Sequence, residues 1–340
     1  MPDSMKSVMK LGRRQFLSLA AGAATLAALP RHAGAQAGSQ PYPSRPITMV
    51  VPVPAGGALD TNARLVAEGM RTALGQPVII ENVAGAAGSV GTGRIARATP
   101  DGYSLLYGAN VTHVLNPAVL TLNYDVVNDF EPIALIGNTP WLFAVKNGLP
   151  VKDLRELIAW LKSNPDKATF GTAGVGSPSH VGGVLFQNVT GTRFQFIPYR
   201  GTAPAIPDLV SGQIDMAILD PITSLPQFRG GKIKILAAMS KSRSSGAPDI
   251  PTSGESGVAG VQVDPWQGMW APKGTPKDVI AKLNAAVVSA LSDEAIRKRF
   301  AEQAYELTPR EQLTPEYLAQ FHKSEMDKWW PIIKAAGIKG

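Results

Sequence analysis

Short apolar runs alternate with amphipathic stretches along most of this chain. Apolar runs bounded by Gly, Pro or Asn predict buried strands, and apolar residues recurring every three or four positions predict helices. The expected strands are 47–53, 77–81, 103–107, 132–136, 141–145, 170–173, 194–198, 214–219 and 233–239, with an extended segment at 261–271. Helices are expected after Asp60, up to Ala98, around 112–117, and over 151–163, 276–291 and 314–336. This alternation favours an α/β fold in which parallel sheets carry helices on both faces.

The segment 47–60 joins a buried strand to a helix through a Gly-Gly turn. The apolar run breaks at Pro54, passes Gly56 and Gly57, and reaches Asp60, which we expect to be the N-cap of the helix. Glycine lets a ligand approach the backbone closely, and the amides at a helix start suit an anion. The alternative is an ordinary strand-to-helix turn, and this loop alone does not decide between the two.

The segment 170–180 repeats the same arrangement of strand, glycines, hydroxyls and helix start. Either Ser177 or Ser179 can cap the helix that begins near Pro178. His180 lies in its first turn, where a structural hydrogen bond is favoured over ligand contact. A third loop of this kind is 199–204, in which Arg200 either pairs with a carboxylate or is simply solvated.

Neither 53–60 nor 171–180 contains a Lys or Arg. An anion seated between these loops must therefore be met by amides, hydroxyls and helix N-termini. We expect the amides of Gly56 and Gly57 and those near 177–179 to hold it, with Asp60 capping its helix and orienting the loop.

The first 35 residues have the features of an export signal. A basic start that includes Arg13 and Arg14 precedes the apolar run 16–29, and 33–35 (AGA) offers a cleavage site. The sequence GRRQFL at 12–17 resembles a twin-arginine signal. A membrane anchor is the alternative, but a span needs about 20 apolar residues.

Removing this signal changes the charge of the chain. Since 5 of the 33 basic and 1 of the 26 acidic residues lie in 1–35, the mature chain has 28 basic and 25 acidic residues. Its net charge is +3 rather than +7, which gives no support to nucleic-acid binding. The absence of cysteine excludes disulfides, thiol nucleophiles and a lipid-attachment cysteine.

Motifs for catalysis and metal binding are missing. His113, His180 and His322 lack zinc-site spacing, and no Walker loop, dinucleotide fingerprint or hydrolase elbow is present. We expect no metal and no cofactor. A binding protein is favoured, and the alternative is an exported hydrolase or transferase that acts on a small carboxylate or ester through Ser179 and His180.

Segments spread along the mature chain resemble those of one protein family. They are 42–47 (YPSRPI), 51–60, 78–82 (VIIEN), 84–88 (AGAAG), 100–103 (PDGY), 113–117, 124–125, 129–130, 176–180, 198–199, 266–268 (WQG) and 271–272. In these segments the chain is similar to the Bug-type (TctC-like) receptors, the periplasmic solute-binding subunits of tripartite tricarboxylate transporters.

This resemblance implies a two-lobed fold of the Venus flytrap kind, each lobe a mainly parallel sheet flanked by helices. Lobe one would comprise 41–141 and 259–340, and lobe two 142–258. A small carboxylate would bind in the cleft between them. The ligand contacts carried over are Ala55, Gly56, Gly57 and Asp60 in lobe one, and Thr172, Ser177, Ser179, His180, Gly201, Thr202, Ala203 and Asp220 in lobe two.

Two departures from the family pattern leave the identity of the carboxylate open. Val184 stands where the family usually has an acidic residue, and 218–221 (ILDP) replaces a Phe-Asp-Asn-like run. Asp220 follows a strand and is still expected to face the cleft. The resemblance also implies partners, the membrane subunits of such a transporter, and we expect a soluble periplasmic monomer.

Overall fold

Two β-sheets organise the chain in the computed structural model, which describes residues 41–244 and 246–338. The first sheet contains β1 (Ile47–Val51), β2 (Val78–Asn82), β3 (Ser104–Ala109), β4 (Phe130–Asn138), β10 (Trp266–Pro272) and β11 (Glu306–Leu307). The second contains β5 (Leu142–Lys146), β6 (Thr169–Thr172), β7 (Gln195–Pro198), β8 (Met216–Leu219) and β9 (Ile233–Ala238). The export signal predicted at 1–35 lies outside the described residues.

Helices fill the connections between these strands. Those associated with the first sheet are α1 (Ala58–Leu74), α2 (Ser89–Ala96), α3 (Asn116–Val119), α8 (Lys277–Ser292), α9 (Glu294–Glu302) and α10 (Pro315–Ala335). Those between the strands of the second sheet are α4 (Leu154–Ser163), α5 (Pro178–Thr190), α6 (Ala205–Ser211) and α7 (Pro221–Arg229). Single turns cover Ala86–Gly88, Val111–Leu115 and Arg310–Gln312. Within the described ranges, no helix is long and apolar enough to cross a membrane.

Both sheets are mixed. The strand order is β11-β4-β10-β3-β1-β2 in the first sheet and β7-β6-β8-β5-β9 in the second. β1 pairs in parallel with β2 and β3, while β10 runs antiparallel between β3 and β4. Likewise β6 is parallel to β7 and β8, while β5 is antiparallel to β8 and β9. The predicted α/β architecture is confirmed, but β10 and β11 are reversed in the first sheet and β5 is reversed in the second. β5 and β10 are the strands at which the chain arrives from the other sheet.

Extended segments connect the two sheets and bond to one another. We call 139–141, 239–242 and 261–265 the crossing segments. The Thr139 amide donates to the Pro265 carbonyl at 2.9 Å, and the Met239 amide donates to the Trp141 carbonyl at 2.7 Å. The chain thus passes between the sheets over short, hydrogen-bonded connections.

Helix packing on the first sheet depends on a close approach of α1 to α8. A Cβ placed on Gly69 would lie 2.5 Å from the Ala290 Cβ, so a larger residue would push the helices apart. At the end of the chain, α10 packs with Trp329 buried and its indole N–H donated to Glu325 at 3.0 Å. The last helix is thus docked on the core, although Trp330 stays 38% exposed.

Candidate functional site

Loop A, residues 52–60, carries the Gly-Gly turn between β1 and α1. The helix begins at Ala58 with Gly57 as its N-cap, so the prediction that Asp60 is the N-cap is wrong. Glycine tolerates the cap position without a side-chain bond, and this lets the helix start three residues earlier. The turn needs positive φ only at Gly56 (+89°), since Gly57 has φ −81°.

Asp60 orders loop A from within the first helical turn. Its carboxylate accepts from the Gly56 amide at 2.9 Å, from Asn82 Nδ2 at 2.9 Å and from Arg64 Nε at 3.0 Å. Burial opposes the charge, but these hydrogen bonds outweigh it and hold the pKa of Asp60 below its ordinary value. The Gly56 amide is therefore not free for an anion, which corrects that part of the prediction. The amides of Gly57, Ala58 and Leu59 have no intrahelical partner.

Loop B, residues 173–180, joins β6 to α5. Of the two predicted candidates, Ser177 is the N-cap, and its Oγ accepts from the His180 amide at 3.3 Å. Four of the loop amides, those of Ala173, Gly176, Ser177 and His180, donate to groups within the loop, and the Gly174 amide donates to Thr172 Oγ1 just before it. Among the described hydrogen bonds, the amides of Val175 and Ser179 are left free. The predicted set of anion-binding amides near 177–179 therefore shrinks, because the Ser177 amide already donates to Gly174.

The side chains of Ser179 and His180 form hydrogen bonds with loop B and not with each other. The Ser179 side chain is fully buried, its Oγ accepts from the Ala173 amide at 2.8 Å, and it lies 3.1 Å from Ser177 Oγ. His180 Nδ1 accepts from the Gly176 amide at 3.1 Å, and burial lowers the pKa of the ring. Because Nδ1 is an acceptor here, the neutral ring carries its proton on Nε2. This geometry contains no serine–histidine proton relay, so it gives the hydrolase alternative no support.

Loop C, residues 199–204, ties itself to the start of α7. Thr202 Oγ1 donates to Asp220 Oδ2 at 2.6 Å, and Asp220 caps α7 through the Thr223 amide at 2.9 Å. These two site residues are thus brought together. Thr172, at the end of β6, is buried next to loop B. The amides of Gly201, Thr202 and Ala203 donate to no group among the described residues.

A cavity of about 440 Å³, the cleft cavity, lies between loop B and loops of the first sheet. Its lining consists of Pro52, Val53, Pro54, Ala84, Gly85, Ala87, Gly88, Val111, Asn116, Val119, Leu120, Ala173, Val175, Gly176 and Ser177. The cavity thus brings the start of loop A and loop B together. Of the predicted contacts only Ser177 lines it. The other predicted contacts do not, and these are Ala55, Gly56, Gly57, Asp60, Thr172, Ser179, His180, Gly201, Thr202, Ala203 and Asp220.

Sequence reasoning missed the contribution of 84–88 and 111–120 to this lining. The run 84–88 (AGAAG) follows β2 and contains four consecutive residues with positive φ, 85–88, two of them alanines. Positive φ at alanine is strained and often found where a backbone meets a ligand. The available signal was the small-residue run itself, because only small side chains permit this turn so close to Pro52.

A second cavity of about 450 Å³, the hinge cavity, lies between α10 and the crossing segments. Asp264 borders it and accepts from Asn138 Nδ2 at 2.7 Å. Burial, with added repulsion from Glu325 and Glu306, raises the pKa of Asp264 to about 6. Glu325 in turn accepts the indole N–H groups of Trp266 and Trp329 at 3.2 and 3.0 Å. Residues 41–244 and 246–338 contain no group of three or more His, Asp or Glu that could hold a metal ion.

Comparison with known proteins decides the family. The model of the tripartite tricarboxylate transporter family receptor matches residues 62–338. The chain belongs to this receptor family. The Bordetella pertussis protein BugT is 35% identical to this receptor over 300 residues, covering 88% of this chain and 91% of BugT.

Solved structures agree with this assignment. MatC from Rhodopseudomonas palustris, solved with bound malate, superposes on this receptor with a TM-score of 0.75 at 37% identity, covering 86% of this chain and 100% of MatC. The R. palustris protein Rpa4515, solved with adipate, superposes with a TM-score of 0.77 at 30% identity, covering 88% and 99%. The receptor therefore has the fold of periplasmic solute-binding proteins.

Proposed function

We propose that this receptor captures a small carboxylate in the cleft between loops A, B and C, next to the cleft cavity, and delivers it to the membrane subunits of a tripartite tricarboxylate-type transporter. The observation that carries the proposal is the cleft cavity itself, which is built jointly by loops of the two sheets. Family membership and the malate and adipate held by MatC and Rpa4515 support a carboxylate ligand. A ligand that contacts loops of both sheets stabilises the conformation in which those loops are close together.

The ligand contacts we propose fall into two groups. Backbone groups come from Ala55, Gly57 and 201–203, with Val175 of loop B supplying a free amide near the helix start of α5. Gly56, Asp60, Thr172, Ser177, Ser179, His180 and Asp220 hold the loops in shape, and we place them at the site because their hydrogen bonds set where those amides point.

We assign the lobes as 41–141 with 259–340, and 142–258. Every strand of the first sheet falls in the first set and every strand of the second sheet in the other. The crossing segments supply the hinge, and closure moves the lobes as rigid bodies. X-ray scattering tests this proposal, because saturation with a bound carboxylate should shrink the radius of gyration, and an unchanged profile would rule closure out.

We further propose that the mature receptor is a soluble periplasmic monomer that turns nothing over. Residues 12–17 support twin-arginine export with removal of 1–35, and the chain has no cysteine for a lipid anchor. The buried hydroxyl of Ser179 is the observation against hydrolysis.

A thermal-shift screen of mono-, di- and tricarboxylates on the purified protein tests the proposed function, since a ligand that binds the native state raises its stability by mass action. A hit recovered chemically unchanged after incubation supports a receptor. A chemically altered hit would show an enzyme, and the absence of any carboxylate hit at millimolar concentration would contradict carboxylate capture.

A further inference from the structure

We infer that Asn116 is a positioning residue of the proposed carboxylate site. Its side-chain amide holds the turn 84–88 in the left-handed conformation that forms one wall of the cleft cavity. This inference rests on the proposed function and adds to it a residue that shapes the site without itself holding the carboxylate. Asn116 begins α3, and the turn lies beside it between β2 and α2.

The turn 84–88 has a backbone conformation that its own residues do not favour. Four consecutive residues have positive φ, and they are Gly85 (+136°), Ala86 (+44°), Ala87 (+54°) and Gly88 (+92°). Glycine adopts such angles freely, but the Cβ of alanine makes the left-handed region unfavourable. Two alanines in succession therefore need contacts from outside the turn to keep them in this conformation.

Asn116 supplies such a contact. Its Nδ2 donates to the Ala87 carbonyl at 2.9 Å and to Ser89 Oγ at 3.3 Å, so it holds both the strained turn and the first residue of α2. Because Asn116 is buried, breaking these bonds would leave a polar group unpaired away from water. A change of Ala87 to a right-handed conformation would turn its carbonyl away from Nδ2. The bond to Asn116 thus favours the left-handed conformation.

Asn116 lies on a turn that is itself held in place. The segment directly before it, Val111–Leu115, is attached to α10 by two hydrogen bonds. His322 Nε2 and the indole N–H of Trp330 donate to backbone carbonyls of this segment at 2.8 and 2.9 Å. Asn116 can therefore act as a fixed anchor for the turn 84–88.

The turn 84–88 also packs against loop A. A Cβ placed on Gly88 would lie 3.1 Å from the Pro52 carbonyl oxygen and 2.9 Å from Thr112 Cγ2, so the turn fits closely between loop A and the segment that precedes Asn116. Relaxation of the turn would shift the start of loop A, which carries two of the proposed ligand contacts. It would also change the wall that the turn presents to loop B across the cleft cavity.

Titration calorimetry on Asn116→Ala tests this inference. The probes are malate and adipate and, if the wild type binds neither, the tightest hit of the carboxylate screen. We expect Asn116→Ala to weaken binding about tenfold, because the free energy of a buried hydrogen bond no longer holds the turn.

Asn284→Ala is the matched control. Asn284 Nδ2 also donates to two acceptors, the Ile133 and Leu313 carbonyls, at 2.8 and 2.9 Å, but Asn284 lies outside the lining of the cleft cavity. The control should lower the melting temperature as Asn116→Ala does, and its Kd should stay within about twofold of the wild-type value.

A second substitution separates positioning from direct contact with the ligand. Ala87→Gly in the Asn116→Ala background should restore about threefold of the lost affinity, because glycine adopts the left-handed conformation without the penalty of alanine. The same substitution in the otherwise wild-type protein should raise the melting temperature by relieving the strain at Ala87, and it should change Kd by less than about threefold.

Wild-type affinity in Asn116→Ala would overturn the inference and leave the proposed capture of carboxylates standing. The same conclusion follows if binding is lost and Ala87→Gly restores none of it, since Asn116 would then act by touching the ligand or by holding the fold as a whole. Failure of the wild-type protein to bind any carboxylate of the screen would instead overturn the proposed function, and this inference with it.

Discussion

The carboxylate of Asp60 accepts a hydrogen bond from the backbone amide of Gly56 at 2.9 Å. This bond closes loop A back onto the helix that follows it. It also removes the Gly56 amide from the groups that can meet a ligand. The two adjacent glycines therefore have different roles. Gly56 adopts the left-handed conformation that the turn needs, and the space around Gly57 is open, so that a ligand can reach its backbone.

Replacing Asp60 with Asn should destabilise the protein by about 2 kcal/mol, because a buried charged acceptor with several donors is lost. Urea unfolding at pH 7 measures this. The matched control is Asp327→Asn, whose pair with Lys323 is exposed, and which should cost less than about 0.5 kcal/mol. Equal effects of the two variants would mean that the Asp60 bonds do not stabilise loop A.

Gly57→Val should abolish carboxylate binding while lowering the stability by only about 1 kcal/mol, since valine caps a helix less well than glycine. Its φ of −81° is accessible to valine, and a Cβ there meets nothing within 4 Å, so the new side chain projects into open space where we place the ligand. Titration calorimetry measures the binding loss. Gly148→Val, also with open space around its Cβ, is the control and should bind like wild type. Normal affinity in Gly57→Val would remove loop A from the site.

Arg200→Ala distinguishes recognition by amides from recognition by charge pairing. Arg200 is exposed, and the contacts that we propose from loop C are backbone amides of 201–203, so removal of this side chain should change Kd by less than about threefold. His180→Gln keeps an acceptor for the Gly176 amide and should cost about 1 kcal/mol of binding. If Arg200→Ala abolishes binding while Gly57→Val does not, then the carboxylate is held by loop C and our account of the site is wrong.

Asp264 should make the stability depend on pH. Its folded pKa of about 6 lies above the ordinary value of 3.8, so the folded state favours the protonated acid. The corresponding stability is fully present below about pH 4 and is lost as the pH rises through about 6. Asp264→Asn should therefore stabilise the protein at pH 8 by as much as about 3 kcal/mol and at pH 5 by about half as much.

Urea unfolding of wild type and Asp264→Asn at pH 5 and pH 8 measures this difference. The Asn138 bond can persist in the variant, since asparagine keeps an acceptor oxygen. Asp249→Asn, at an exposed position, is the control and should show no such dependence. A stabilisation that is the same at both pH values would exclude titration of Asp264 as its cause.

The local elements of this fold could be predicted because their signals are local. The run from Ile47, the Gly-Gly turn and the periodic apolar residues of α1 lie next to one another in the chain. The helix start near Pro178 was likewise predicted, and the structure makes Ser177 its cap where the sequence left Ser177 and Ser179 open. The reversed strands β5 and β10 could not be predicted, because the direction of a strand in its sheet depends on distant partners and leaves no periodicity in its own sequence.

The site was harder to predict than the fold. Three loops were identified from glycines and hydroxyls, but which amides stay free depends on bonds such as Ser179 to Ala173 and His180 to Gly176, whose geometry the sequence does not contain. The start of α1 was misplaced because glycine can cap a helix without leaving a side-chain signature. The cavity lining from 111–120 lies on a turn whose apolar residues are indistinguishable from core residues in sequence.

The most direct test of carboxylate capture is a crystal structure of the protein saturated with the carboxylate that raises its melting temperature most. Our account predicts density for the ligand in the cleft between loops A, B and C, with its carboxylate oxygens within hydrogen-bond distance of loop amides such as those of Gly57 and Val175. Density in the hinge cavity beside Asp264, or a carboxylate paired with Arg200 outside the cleft, would contradict it.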